Sequence, residues 1–406
     1  MHQHVSRIRS LLRTLPFAFW SLCAGTFINR LGMFIKPFLA IYLTSARHLP
    51  AEQVGLILGL LGAGSLIASV LISIVADRFS RKHLLVFGLL ASAALLPPIA
   101  LLASPFALAL VVLAWSILNE APGRLSRMLV IDIVKPEQRR QAISLLRIAI
   151  NIGLAISTAL GGIIATIAFF PLFLLDAGTT VVFALVLLFQ LPSARKPASR
   201  KTPDERRHPH HVLYFLAPLR DYTFLKVWLA TFFVFLIFSQ LFTTFATYVI
   251  QQGSSPALYG GLMTLSASVV LLEFPLMVAL SRVPGPHLMM LGCLIAGIAA
   301  GLCTLGSAPL WLIVPVLTFS LAEMLVGPSF DTVAAELAPP EQRGAYQGTL
   351  WLANGLGNTV GPVLGGILLQ RSSFLCWMVF LVIGLLAALI TRTIPSKTIH
   401  KSPYFH

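Results

Sequence analysis

Twelve apolar runs, parted by short polar stretches, set the pattern of this 406-residue chain. They fall at about 15–43, 54–76, 84–103, 106–131, 141–168, 171–191, 223–250, 258–280, 288–307, 309–333, 344–369 and 374–394. A helix needs roughly 20 apolar residues to cross a bilayer, and each run approaches or exceeds that length. The fifth and sixth runs are nearly continuous and divide at Phe169-Phe170-Pro171, because together they are too long for one crossing. The pattern predicts an all-α polytopic membrane protein with twelve transmembrane helices.

Composition agrees with that reading. Charged residues make up 11% of the chain and the hydrophobic set 57%, with a mean hydropathy of +0.87. A soluble domain carries about 25% charge. The net charge of +15 raises the question of nucleic acid, and its distribution argues against it. Of the 29 Lys and Arg residues, 22 lie in the even-numbered loops, the two tails and the run ends that border them (Lys226 and Arg392), whereas the odd loops hold only Arg47 and Arg371. By the positive-inside rule both termini and the long middle loop are cytoplasmic. The basic start, Met1 to Thr14, precedes an apolar run with no small-residue cleavage site, so a removable signal peptide is not expected. Cys23, Cys293, Cys303 and Cys376 all fall in apolar runs and read as small buried hydrophobes. His208, His210 and His211 sit in a Pro-, Arg- and Lys-rich stretch that reads as a solvated linker rather than a metal site. No metal and no cofactor are expected.

That stretch, Pro192 to Arg220, divides the chain into six-helix bundles at 1–191 and 222–406, with 192–221 as a cytoplasmic linker loop. The halves repeat. Pro136-Glu137-Gln138-Arg139 returns as Pro340-Glu341-Gln342-Arg343, an offset of 204 residues. The same offset pairs Asp132 with Glu336, Gly153 with Gly357, Gly161-Gly162 with Gly365-Gly366, Arg78 with Arg282 and Gly88 with Gly292. A constant offset over most of each half is internal duplication, an architecture of transporters that hold substrate where two repeats meet.

Between the second and third runs lies Ser73-Ile74-Val75-Ala76-Asp77-Arg78-Phe79-Ser80-Arg81-Lys82. It resembles the signature loop of the major facilitator superfamily, G-x-x-x-D-R-x-G-R-[RK]. Asp77, Arg78, Arg81 and Lys82 match, and serines stand at the two glycine positions. In the eleventh run, Gly357, Gly361, Pro362, Gly365 and Gly366 resemble the superfamily's G-x-x-x-G-P-x-x-G-G motif. Glycines four apart line one helix face and let a neighbour approach closely. The fifth-run counterpart keeps Gly153, Gly161 and Gly162, with Ser157-Thr158 at the Gly-Pro centre. Asn119-Glu120, Asp132 and Arg147-x-x-x-Asn151-x-Gly153 resemble a bacterial drug-efflux-like branch. The resemblance implies two pseudo-symmetric six-helix bundles working by alternating access in the bacterial inner (cytoplasmic) membrane. It implies a proton-coupled secondary transporter exporting small hydrophobic or amphipathic compounds. Its partners are then a small-molecule substrate, protons and the lipid bilayer, and a monomer is expected.

Charges inside the runs are the candidate chemistry. Glu120, Arg124 and Arg127 follow i, i+4, i+7 spacing on one helical face. Glu120 lies near mid-membrane, where an unpaired charge costs at least about 3 kcal/mol, and Arg124 is placed to compensate it. Asn29 and Arg30 interrupt the first run near its centre, and Lys36 lies closer to its outer end. Asn29, Arg30, Glu120, Arg124 and Asn151 are therefore substrate-site candidates. Glu273 and Glu323 have no base at i±3 or i±4, which makes them candidates for taking up and releasing a coupling proton. Asp176, near the outer end of the sixth run, reads as a cap or gate. Two other classes remain open. Arg30, Lys36 and Arg124 could cradle an anionic metabolite. A polytopic acyl or glycosyl transferase would need a clustered catalytic pair at a helix end and would not need the repeat. No nucleotide-binding or nucleophile motif is present, so an enzyme is not expected.

The topology is directly testable. Single cysteines introduced by Ser199→Cys and Pro403→Cys are expected to resist impermeant thiol reagents on intact cells. Labelling of either from outside would contradict the twelve-span arrangement.

Overall fold

The computed structural model describes residues 15–75, 80–135, 138–190, 217–306, 308–339 and 342–395. Among the described residues all regular structure is helical. The first span is two helices, α1 (Phe17–Leu31) and α2 (Ile35–Ile41), followed by a π turn at Tyr42–Ala46. Then come α3 (Ala51–Val75), α4 (Arg81–Leu101), α5 (Pro105–Ile133), α6 (Arg139–Ile167) and α7 (Phe170–Gln190). The seventh span is broken as well: α8 (Tyr222–Phe238) runs into a 3-10 turn at Ser239–Phe242 before α9 (Thr244–Gln251). The eighth consists of α10 (Pro256–Val270) and α11 (Glu273–Ala279). The last four spans are α12 (Gly285–Leu302), α13 (Pro309–Leu337), α14 (Arg343–Arg371) and α15 (Ser373–Arg392). Among the described residues, ten helical stretches are long and apolar enough to cross a membrane, and the shorter apolar stretches Pro105–Glu120 and Pro256–Val270 complete the twelve.

Local sequence explains where several helices begin. Ser104-Pro105 and Ser255-Pro256 each place a serine at the N-cap and a proline in the first turn, and each serine hydroxyl accepts a backbone N–H three residues on. Asp221 starts α8 by accepting from Thr223 N and Phe224 N at 2.9 and 3.2 Å. The outward faces are apolar. Ile167, Phe189 and Leu310 are about four-fifths exposed (83%, 79% and 78%), which suits hydrocarbon and not water.

The duplication is visible in each bundle's packing. In the first, α1 packs on α6 and α7, and α4 on α5 and α7. In the second, α8 packs on α14 and α15, and α12 on α13 and α15. The compact units do not follow the repeat boundary throughout. Met1–Lys36 with Ile67–Arg200 forms one, and Pro37–Leu66 with Lys201–His406 forms the other. Small residues account for the place of the first part of α3, residues 51–66, in the second unit. A side chain added at Gly55 would strike Pro362 O and the Gly366 backbone, and one at Gly62 would lie 2.5 Å from Thr359 N.

Three further glycines of α14 serve the other side of that helix. A Cβ at Gly357 would lie 2.7 Å from Phe232 O, one at Gly361 would meet Ser239 and Leu236, and one at Gly365 would meet Thr244 and Gln240. The stripe thus fits against α8 and the break beyond it. Gly361→Val should lower stability by about 1–3 kcal/mol through overpacking. The control Gly261→Ala, whose added methyl meets nothing within 4 Å, should stay within about 0.5 kcal/mol. Melting temperatures of the two purified variants check this. Equal melting would remove the packing argument.

Candidate functional site

A helix broken inside a membrane leaves backbone N–H and C=O groups that water cannot reach, and each costs several kcal/mol if unmet. The first span breaks at Gly32-Met33-Phe34, between α1 and α2. On α7, Asp176, Thr179 and Thr180 follow i, i+3, i+4 spacing and so share one face, the face turned to this break. Asp176 is 5% exposed, and its Oδ2 accepts from Ile35 N at 3.1 Å, at the start of α2. The Phe34 N–H and the Thr180 hydroxyl also bond to this carboxyl, and the Arg30 charge lies near it. From α6, Ser157 Oγ donates to Met33 O at 3.0 Å. Asn29 Nδ2 donates to Thr180 Oγ1 at 2.9 Å. Any side chain at Gly32 would collide with Thr179, so the chain must turn there without one.

The break aims the charges on either side of it. Arg30 Nη1 lies 2.7 Å from Met33 Sδ, and Gly153 leaves room for the Arg30 stem, since a Cβ there would sit 2.7 Å from Arg30 Cβ. The other guanidinium nitrogen lies beside α5, 3.7 Å from where a Cβ on Gly123 would stand. One residue beyond the Asp176-capped N–H, Lys36 Nζ lies 3.2 Å from Glu120 Oε1. Their side chains are 48% and 26% exposed, so this pair is far more accessible than Asp176. Asn29, Arg30, Lys36, Glu120, Ser157, Asp176 and Thr180 thus gather around one break within the first unit.

The other expected residues are placed differently. Asn151 is half-buried on α6, one turn before the break-facing part of that helix. Arg124 lies on α5 one turn past Glu120, and its side chain is outside the described residues. Glu273 is half-buried and opens α11 after a turn at Leu271-Leu272, while Glu323 is exposed on α13. Neither belongs to the cluster at the first-span break. Asp77 and Arg78 of the signature loop lie outside the described residues, as do His208, His210 and His211. Arg81 opens α4, and Lys82 is buried with its Nζ on Leu188 O at 2.9 Å. That ammonium meets an unpaired carbonyl at the negative end of α7.

The second unit solves the same problem without charge. Gln240 donates to Leu236 O at 2.6 Å and to Ser239 Oγ at 3.0 Å, and it accepts from Thr244. By the 204-residue offset, Lys36 corresponds to Gln240, Ser157 to Gly361, Glu120 to Met324 and Asp176 to Phe380.

Sequence spacing paired Glu120 with Arg124 on its own helix. The folded chain gives Glu120 an ion-pair partner, Lys36, that is 84 residues distant. The roles of Ser157 and Thr180 were likewise missed. The available signal was Ser157 standing where its repeat partner is Gly361.

The family model described as Major Facilitator Superfamily matches residues 22–359 and, in a second match, 270–404. The chain belongs to the major facilitator superfamily. Among its relatives is an uncharacterized MFS-type transporter, YqjV of Bacillus subtilis (strain 168), 28% identical over 367 residues, or 86% of this chain and 85% of that one. The multidrug resistance protein MdtH of Aeromonas hydrophila is also 28% identical, over 384 residues, or 91% of this chain and 94% of that one. The crystal structure of the nucleoside transporter NupG has the same fold, with a TM-score of 0.79 at 15% identity, covering 93% of this chain and 99% of that one. The protein is an integral membrane protein of the superfamily's all-helical, two-bundle class.

The clamp makes a graded prediction for this superfamily member. Asp176→Ala leaves the Ile35 N–H unmet and should cost about 1–3 kcal/mol, whereas Asp176→Asn keeps an acceptor and should cost less. Ser157→Ala should fall nearer the lower figure, because a carbonyl has lost one donor. Thermal unfolding in detergent gives the order, and equal losses for Asp176→Asn and Asp176→Ala would contradict the hydrogen-bonding role.

Proposed function

We propose that this transporter is a proton-coupled secondary carrier that exports small hydrophobic or amphipathic compounds by alternating access. The observation that carries this reading is the discontinuous first span, with buried polar clamps and an accessible Lys36–Glu120 pair, inside an integral membrane helix bundle. Broken spans with polar groups at the break are where carriers bind substrate. The likeness to MdtH over nine-tenths of both chains supports efflux as the direction. The functional halves in this reading are 1–191 and 222–406, joined by 192–221, with both termini on the cytoplasmic side of a bacterial inner membrane.

Roles within the reading divide by charge. Asn29, Arg30, Glu120, Arg124 and Asn151 form the recognition side, now with Lys36. Glu273 and Glu323 are assigned to proton coupling, and Glu273 is favoured because it follows a break in the eighth span. Asp77, Arg78, Arg81 and Lys82 are assigned to gating. No catalytic step and no cofactor enter this account.

Purified protein in vesicles under an imposed proton gradient, offered a panel of dyes, tests the reading. Glu273→Gln preserves size and hydrogen bonding while removing the exchangeable proton. It should abolish uphill accumulation, leave substrate exchange measurable and make that exchange less dependent on pH. Glu323→Gln and Glu120→Gln in the same vesicles complete the comparison. Uphill transport by both Glu273→Gln and Glu323→Gln, with Glu120→Gln alone uncoupled, would reverse the assignment.

A further inference from the structure

Two helix ends of the second unit carry bases that the transport reading does not use. Asp221 caps α8 and also accepts from the Tyr346 hydroxyl at 3.2 Å, so this carboxylate is already engaged by the protein. In α8 itself the Lys226 ammonium stands over the Tyr222 ring, 4.7 Å from its centroid. Its Nζ donates to Thr393 O at 3.3 Å, just past the end of α15. Both helices belong to long apolar spans, so this contact puts the start of α8 and the end of α15 at one edge of the membrane. A base flanks it on each side. Arg220 ends the turn Ala217–Arg220 ahead of α8, Arg392 is the last residue of α15, and both are exposed. One cation on the carbonyls of a helix end is ordinary capping, and Lys226 serves there. Arg220 and Arg392 are surplus to that need. Next to them the surface turns apolar. Leu385, Leu386 and Leu389 are 40%, 46% and 58% exposed on α15, and the 385, 389, 392 spacing carries that stripe along one face to Arg392.

We propose that Arg220, Lys226 and Arg392 bind the headgroup of one anionic phospholipid, whose acyl chains lie along the leucine stripe of α15. Phosphate oxygens accept several charge-assisted hydrogen bonds at once, and two guanidinium forks with an ammonium between them supply the donors. A zwitterionic headgroup would bring its own cation into a basic cluster, so net negative charge is selected. Basic pockets between membrane helices at the water edge suit acidic headgroups, and the 71% exposed Tyr222 is the kind of side chain that sits at headgroup level. The stripe favours a lipid over a soluble phosphate, which has nothing to lay against leucine. The adjoining sequence keeps the sign of the field. Six bases lie in residues 191–216 and two in 396–406, against the acids Asp204 and Glu205. The cluster is also not a by-product of the duplication, because the 204-residue offset puts Pro16, Leu22 and Leu188 at the corresponding positions of the first half. The inference is independent of the coupling ion and of the direction of transport.

Delipidated full-length protein in neutral detergent, titrated with dioleoyl phosphatidylglycerol or dioleoyl phosphatidylcholine and read by native mass spectrometry, tests this. Wild type should bind the first phosphatidylglycerol at least about tenfold more tightly than the first phosphatidylcholine. Inorganic phosphate at equal ionic strength should not displace it. The variant Arg220→Gln/Lys226→Met/Arg392→Gln should bring the two lipids within about threefold of each other. Arg220→Gln/Arg392→Gln, which leaves Lys226 on Thr393, should weaken the preference at least about threefold and guards against misfolding of the triple variant. Arg220→Lys/Arg392→Lys should keep the preference. So should Lys135→Gln/Arg282→Gln/Arg371→Gln, which removes the same total charge from exposed positions elsewhere. Equal binding of the two lipids by wild type, a preference that survives in both Gln-bearing site variants, an equal loss in the control variant, or displacement by inorganic phosphate would each overturn the proposal.

Discussion

Every backbone polar group inside a bilayer must find a partner in the protein, and the break in the first span concentrates that demand at one place. Gly32, Met33 and Phe34 leave the helix, and two neighbours answer. Asp176 from α7 accepts the Ile35 N–H and Ser157 from α6 donates a hydrogen bond to the Met33 carbonyl. Each hydrogen bond contributes modestly when made and costs much more if one partner is lost. The clamp therefore fixes where α2 begins and which way it points. Lys36, the second residue of α2, inherits its position from that start. The Lys36–Glu120 contact is downstream of a backbone problem.

The duplicated half shows which parts of the solution are general. Its corresponding span also breaks, at Ser239–Phe242, and the corresponding helix α14 lies against that break. There the partner is Gln240 on the same chain segment, with close approach supplied by Gly361 and Gly365. A serine at Gly361, the equivalent of Ser157, would not fit, because even a bare Cβ there meets Ser239. The first half admits Ser157 and uses it. Two repeats descended from one pattern thus share a broken helix but differ in whether charge surrounds it.

The twelve spans, the duplication and the superfamily could be read from the sequence because they depend on local composition and on spacing along the chain. Ile35 and Asp176 could not be paired that way, being 141 residues apart, and in the first run Gly32 and Pro37 are the marks of a break. Glu120 illustrates the same limit. Helical spacing offered Arg124 as a neighbour, whereas the contact to Lys36 depends on how α1, α2 and α5 pack. The place of residues 37–66 was hidden too, since the repeat says which half they descend from and not which helices they lie against. The glycines that decide it, Gly55 and Gly62, become informative only once Pro362, Gly366 and Thr359 are opposite them.

Amide hydrogen exchange over the segment Gly32–Lys36 tests the clamp most directly. The account predicts slow exchange at Ile35 in the wild-type protein, because its N–H is bonded to a buried carboxylate. In Asp176→Ala the same amide should exchange at least about tenfold faster, while segments in α12 remain at the wild-type rate. An Ile35 amide that exchanges equally slowly in both proteins would contradict the claim that Asp176 holds the break.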